Sequence, residues 1–238
     1  MPASTDLRAP GEGLDLDLDR VHYPVRSLGP GTRVALWVRG CRLGCPGCMS
    51  RELAIPGRGP RVPVHEVASR LAPLAGRVDG VTITGGEPFD QPAPLAALVR
   101  KLKTLGLGDV LVYSGYTLEE IGRQGPAAAE LLSLVDILID GRFREEEPTR
   151  KLWRGSANQK LHLLSDLART RYGHLAESEY RGRRPLEVGI DTAGRLFIVG
   201  IPERGDLERF VAACRRRGVV LEEETWDVER PTELPALG

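Results

Sequence analysis

Residues 14–19, Leu14-Asp15-Leu16-Asp17-Leu18-Asp19, alternate apolar and acidic with a period of two, as a strand with one buried face does. The turn signal Gly29-Pro30-Gly31 precedes Val34-Ala35-Leu36-Trp37-Val38, an apolar run that reads as a buried strand. Helical and strand patterns then alternate. Residues 64–75 carry helical periodicity and 80–84 read as a strand; 91–105 form a helix whose prolines fall in the first turn, where a missing N–H is tolerated. Residues 110–113 are another strand, and Thr117-Leu118-Glu119-Glu120 is a capping box that opens the next helix. Pro126 opens a helical stretch to residue 134, and 137–139 form a strand ending at Asp140. Strands alternating with helices of this length predict an α/β fold with a parallel sheet.

The pattern changes at both ends. Residues 1–13 are polar and rich in Pro and Gly, and too little apolar surface is available there to offset ordering entropy, so disorder is expected. Residues 165–184 are polar and Arg-rich and read as a linker or loosely packed helix. A small unit follows. Residues 186–191 and 196–199 flank Thr192-Ala193-Gly194-Arg195 as a hairpin. Leu207, Phe210, Val211 and Cys214 fall at i, i+3, i+4 and i+7 of a helix that Asp206 could cap, which makes Cys214 a core residue. The expected organisation is a core domain over 14–164, a linker over 165–184, and a C-terminal hairpin-plus-helix unit over 185–238.

Composition narrows the function classes. The 238 residues can bury a substantial core, and 33 basic residues balance 33 acidic ones, so there is no basic excess to mark a nucleic-acid partner. No apolar run approaches the roughly 20 residues that span a bilayer, and the first residues lack a signal-peptide profile, so a cytoplasmic protein is expected. In a reducing compartment closely spaced cysteines are metal-binding or catalytic rather than disulfide-bonded.

Three such cysteines follow the strand at 34–38. Cys41, Cys45 and Cys48, spaced Cys-x3-Cys-x2-Cys, can hold three irons of a cubane [4Fe-4S] cluster and leave the fourth open, whereas electron-transfer clusters take four Cys ligands. An open iron can chelate a small molecule, and S-adenosylmethionine (SAM), a carrier of radical chemistry, is the candidate. Zinc is the rival reading, completed by one of the scattered histidines His22, His65, His162 or His174; it prefers four Cys/His ligands in paired short spacings. In parallel sheets ligands bind at the carboxyl ends of strands. Gly85-Gly86-Glu87-Pro88, Ser114-Gly115-Tyr116 and Asp140-Gly141-Arg142 all lie there, beside the cysteine loop. The glycines would let backbone approach a ligand, and Glu87 offers an anionic acceptor to an amino acid's ammonium.

These motifs, with His22-Tyr23-Pro24-Val25, Gly29-Pro30-Gly31-Thr32-Arg33, Asp140-Gly141-Arg142-Phe143 and Trp153-Arg154-Gly155-Ser156-Ala157-Asn158-Gln159, resemble the radical SAM superfamily. More narrowly they resemble its anaerobic ribonucleotide reductase and glycyl radical enzyme activases, over residues 20–162. The resemblance implies a partial (βα) barrel, a [4Fe-4S] cluster on Cys41, Cys45 and Cys48, and SAM on the open iron. It implies that Gly85, Gly86 and Glu87 hold the methionine amino group, that backbone at Gly47, Cys48 and Met49 faces the adenosine, and that Ser114, Asp140 and Arg142 approach the ribose or carboxylate. No catalytic side chain beyond the cluster ligands is implied. The expected partners are a glycyl radical enzyme, whose glycine loses a hydrogen, and a flavodoxin- or ferredoxin-type electron donor, with no nucleic acid and no membrane.

Two departures keep other substrates open. Met49-Ser50 stands where the family commonly has an aromatic residue and Asn, and about seventy residues follow the segment at which ribonucleotide reductase activases usually stop. A stand-alone radical SAM enzyme acting on a peptide or small metabolite is the first alternative. A non-enzymatic zinc- or cluster-binding protein is the second.

Overall fold

The computed structural model describes residues 13–191 and 194–221. The expected disorder of residues 1–13 thus falls almost wholly outside the described residues, as do residues 222–238 of the C-terminal unit and two positions of its hairpin turn. The acidic-apolar alternation becomes β1 (Asp15–Val25), longer than its six-residue repeat, and the apolar run becomes β2 (Arg33–Val38). A short β3 (Arg61–Pro63) leads into α1 (Val64–Leu71). Then come β4 (Gly80–Gly85), α2 (Pro92–Thr104), β5 (Asp109–Tyr113), α3 (Leu118–Gly122), α4 (Pro126–Leu134) and β6 (Ile137–Asp140). The capping box forms: Thr117 Oγ1 accepts from Glu120 N–H, and the Glu120 carboxylate accepts from Thr117 N–H.

The sheet is mixed, ordered β3-β1-β2-β4-β5-β6-β7, where β7 is Lys160–Leu163. Strands β2, β4, β5 and β6 are parallel, while β1 and β7 flank them antiparallel. Antiparallel edges were not legible from alternation, because β7 is one exposed and three half-exposed residues with no turn signal of its own.

Register sorts the parallel strands into two faces. Leu36, Ile83, Val112 and Leu138 point outward and pack with Leu71, Leu95, Leu98 and Leu131 of α1, α2 and α4 in one cluster. Ala35, Leu111, Ile137 and Ile139 point to the inner face, which is covered by segments that follow the parallel strands in sequence.

Part of that cover lies in the stretch read as a linker or loosely packed helix. Within 165–184 lies α5 (Asp166–Tyr172), capped by Ser165 Oγ accepting from Ala168 N–H, with a further 3-10 turn at Gly173–Leu175. Ala168 is 0% and Tyr172 8% exposed, both packed with Trp153, Leu111 and Ile137. Two buried apolar contacts on a short amphipathic helix are enough to dock it, although its Arg-rich surface hid them. Trp153 has φ 57 in the left-handed region, a backbone conformation held by this packing.

The C-terminal hairpin forms as β8 (Leu186–Ile190) and β9 (Leu196–Gly200), followed by α6 (Asp206–Arg216). Asp206 is a first-turn residue rather than the cap. Gly205 occupies the cap with φ 82, and the Asp206 carboxylate accepts from Glu203 N–H and Arg209. Cys214 is half-buried rather than fully enclosed. Among the described residues no helix is long and apolar enough to cross a membrane.

Candidate active site

The carboxyl ends of the four parallel strands carry the four loops singled out by sequence, and the structure joins them. Gly86 N–H donates to Val38 O and Glu87 N–H to Gly40 O, both at 2.7 Å, so the loop after β4 continues the ladder onto the cysteine loop. The approach is close enough to require glycine. A Cβ on Gly86 would lie 2.3 Å from Gly40 O, and one on Gly85, whose φ is +108, would lie 2.5 Å from Val38 O. The glycine pair therefore serves the fit between two loops as well as any ligand.

The cysteine loop is pinned at its base. Cys41 N–H donates to Ala54 O and Gly40 N–H to Leu53 O; Cys48 N–H donates to Cys45 O, and Ser50 N–H points at the Cys48 sulfur at 3.5 Å. Met49 and Gly47 are half-buried beside it. Phe143 lies across the tip: a Cβ on Gly47 would meet its ring at 3.2 Å, and one on Gly155 would meet it at 3.0 Å. The segment after β6 thus folds back over the cysteine loop.

The remaining site residues are tied into the protein. Glu87 is 1% exposed; its Oε1 accepts from Phe89 N–H and Ser114 Oγ–H, and its Oε2 from Gly115 N–H. Burial pushes its carboxyl up to about 7 in spite of those donors. Burial pushes the Asp140 carboxyl up, but hydrogen bonds from His162 and from Leu118 N–H outweigh it and hold the carboxyl below the usual range. Arg142 is exposed, pairs with Glu120, and lies 5.9 Å above the Tyr116 ring. Gln159 and Asn158 brace this loop, donating to the carbonyls of Gly141 and Arg142.

Beneath the loops runs a layer that sequence reasoning did not single out. Trp37 pairs with Thr84 and Tyr113 with Ile139, placing all four on the inner face one step below the rim. Trp37, Thr84 and Tyr113 keep partial exposure, whereas Ala35, Thr82, Leu111 and Ile137 below them are 0% exposed. The inner face therefore opens at the height of the cysteine loop. The signal was available in the period-two positions of β2, β4 and β5, but only the pairing shows that they form one floor.

The thiols suit a cluster. Cys41, Cys45 and Cys48 are unpaired and half-buried, with Cys214 away on α6. Burial, then the nearby Glu87, Cys48 and Asp90, push the Cys41 thiol up; burial, then Cys45 and Glu52, push Cys48 up. A metal centre that binds these thiols displaces their protons. Among the described residues no group of three or more His, Cys, Asp or Glu could hold a single metal ion. A cubane does not demand one, because each thiolate binds a different iron.

Comparison with known proteins identifies the family. A family model described as a 4Fe-4S single cluster domain matches residues 27–162. The anaerobic ribonucleoside-triphosphate reductase-activating protein of Enterobacteria phage T4 is 36% identical over 158 residues, 63% of this chain and 96% of that protein. The chain belongs to this family of reductase-activating proteins. Family members of the same name from Vibrio cholerae and Escherichia coli K12 are 36% and 31% identical, covering 59% and 60% of this chain and 94% and 96% of their own lengths. The protein is therefore a radical SAM enzyme of the activating-protein type, with a [4Fe-4S] cluster and SAM as cofactors. The crystal structure of QueE from Escherichia coli covers 87% of this chain and 92% of its own at 12% identity, with a TM-score of 0.34, too loose a likeness to bear on the site.

Proposed function

We propose that this protein activates an anaerobic ribonucleoside-triphosphate reductase by removing a hydrogen atom from a glycine of that partner. When bound, the cluster and SAM supply a 5′-deoxyadenosyl radical generated by one-electron reduction. Cys41, Cys45 and Cys48 would hold the cluster. The Gly85-Gly86-Glu87 lip would receive the methionine amino end of SAM, with backbone at Gly47, Cys48 and Met49 beside the adenosine. Ser114, Asp140 and Arg142 would border the ribose or carboxylate, Ser114 and Asp140 chiefly by setting their loops. In this reading the mixed sheet acts as a partial (βα) barrel, its core spans residues 14–164, and the electron comes from a flavodoxin- or ferredoxin-type donor in the cytoplasm.

The observation that carries the reading is the direct bonding of the Gly85-Gly86-Glu87 lip to the end of β2 and the start of the cysteine loop, at 2.7 Å from Gly86 to Val38 and from Glu87 to Gly40. The test is anaerobic: reconstituted protein, reductant, SAM and an anaerobic reductase are combined, and the glycyl radical is read by electron paramagnetic resonance. A radical that disappears when Cys41, Cys45 and Cys48 are replaced by Ala supports the proposal. Robust, cysteine-dependent 5′-deoxyadenosine with no radical in the reductase refutes this choice of substrate.

A second reading, a peptide or small-metabolite substrate, is favoured by the appended hairpin. It covers part of the inner face through Val199, 1% exposed and packed on Val25, Leu28 and Ala35. The matched relatives align to about 60% of this chain, so the unit lies beyond most of what they share.

A further inference from the structure

We propose that Phe143 is a positioning residue for the cluster: its ring, clamped between Gly47 and Gly155, holds the tip of the cysteine loop in ligating shape and keeps water from it. The inference rests on reading Cys41, Cys45 and Cys48 as the cluster ligands. Gly47 lies between two of them. Its φ is +68, and a Cβ there would come within 3.2 Å of Phe143 Cε1; one on Gly155 would come within 3.0 Å of Phe143 Cδ2. Both distances are tighter than Cβ contacts normally run, so the ring sits against backbone that a side chain at either position would cover. Glu145 also reaches Gly47, with Oε2 2.9 Å from the same Cβ position, but an exposed, hydrated carboxylate excludes no water.

The polar side chains at 156–159 are directed at the chain that carries this ring. Ser156, 0% exposed, accepts from Arg144 N–H at 3.1 Å and donates to Asn158 Oδ1 at 2.7 Å. Asn158 Nδ2–H donates to Arg142 O at 2.9 Å, and Gln159 Nε2–H to Gly141 O at 2.8 Å. Gln159 Oε1 in turn accepts from Gly155 N–H and Ser156 N–H, while Ala157 N–H donates to Glu147 O. The residues on both sides of Phe143 are thus bonded to one turn, and the half-buried ring is aimed by its backbone. Groups outside the ligand shell orient metal ligands, and an apolar cover limits solvent access and so sets the potential. Reduction makes a thiolate-bound cluster more negative, and water stabilises the more negative state. Thinning the apolar cover therefore raises the potential.

The test uses the full protein with its cluster reconstituted anaerobically and reads two quantities, the rate at which a chelator captures its iron and the midpoint potential of the cluster. Phe143→Ala should release iron about 10-fold faster and shift the potential to a less negative value. Phe143→Tyr, which keeps the ring, should match the unmodified protein in both. Asn158→Ala, which frees the Arg142 carbonyl and loosens the turn, should fall between them. Val211→Ala, in α6, supplies a variant destabilised without touching the tip, and thermal unfolding of the cluster-free proteins places all four on one stability scale. Unchanged iron release and potential in Phe143→Ala overturn the inference. So does equally fast release from Val211→Ala, because Phe143 would then act through overall stability alone. Should Phe143→Ala fail to fold, Asn158→Ala carries the test, and unchanged release and potential there overturn the inference. An unmodified protein that takes up no cluster would instead remove the reading on which the inference rests.

Discussion

Glu87 shows how one residue can be legible as a motif and yet act differently from what the motif suggests. Its sequence context offers an acceptor at a glycine-rich lip; the structure spends that acceptor on Phe89, Ser114 and Gly115. Burial sets its carboxyl to about 7, above the ordinary value of 4.5, so the folded protein holds this proton more tightly than the unfolded one does. Stability of the cluster-free protein should be unaffected by this group at low pH and should fall as pH rises from about 4.5 to about 7, by up to ~3 kcal/mol. Glu87→Gln should flatten that slope while lowering stability at low pH, since its amide cannot accept from all three donors. Urea unfolding across pH 4–8 measures both, and an unchanged slope would remove Glu87 as its source.

At the scale of elements, the N-terminal ends of the parallel strands are stitched as firmly as their carboxyl ends. Arg33 opens β2 fully buried, donating to Thr82 Oγ1, to the carbonyls of Pro30 and Val81, and to Asp109, with which it pairs at 2.8 Å. Tyr172 of α5 donates to the other Asp109 oxygen at 2.6 Å. One guanidinium thus fixes β2, β4 and β5 in register and ties α5 to them, which accounts for Arg33 in a motif that sits far from the cysteine loop. Arg33→Ala leaves Asp109 buried with only the half-exposed Arg171, at 3.5 Å, as its cation and should cost about 3–5 kcal/mol, read by chemical denaturation. A loss below about 1 kcal/mol would show that Arg171, Tyr172 and water suffice for Asp109. Helix and strand boundaries here followed periodicity closely, as at the Thr117 capping box, because those signals are local. The docking of α5 was not legible, because it depends on two apolar residues finding Trp153 across the sheet.

For the whole molecule, the appended hairpin acts as a brace on the core. Glu187 accepts from Arg26 N–H, Ser27 N–H and Ser27 Oγ–H, Phe197 meets His22 edge to face at 5.0 Å, and Val199 fills the pocket between Val25, Leu28 and Ala35. Removing residues 185–238 would uncover that patch, so the truncated protein should lose several kcal/mol and bind a hydrophobic dye, on a scale of about 1.5–3 kcal/mol per buried side chain. A truncated form as stable as the full one would mark the unit as an independent module. The sequence alone determined the alternating elements, the three-cysteine loop and its place after a strand, since periodicity and ligand spacing are local properties of the chain. Tertiary structure decided the antiparallel edges, the docking of α5 and the hairpin, and the floor of Trp37, Thr84 and Tyr113. Each of these depends on pairing between residues distant in sequence, where burial and hydrogen-bond satisfaction are settled by neighbours that no local pattern names.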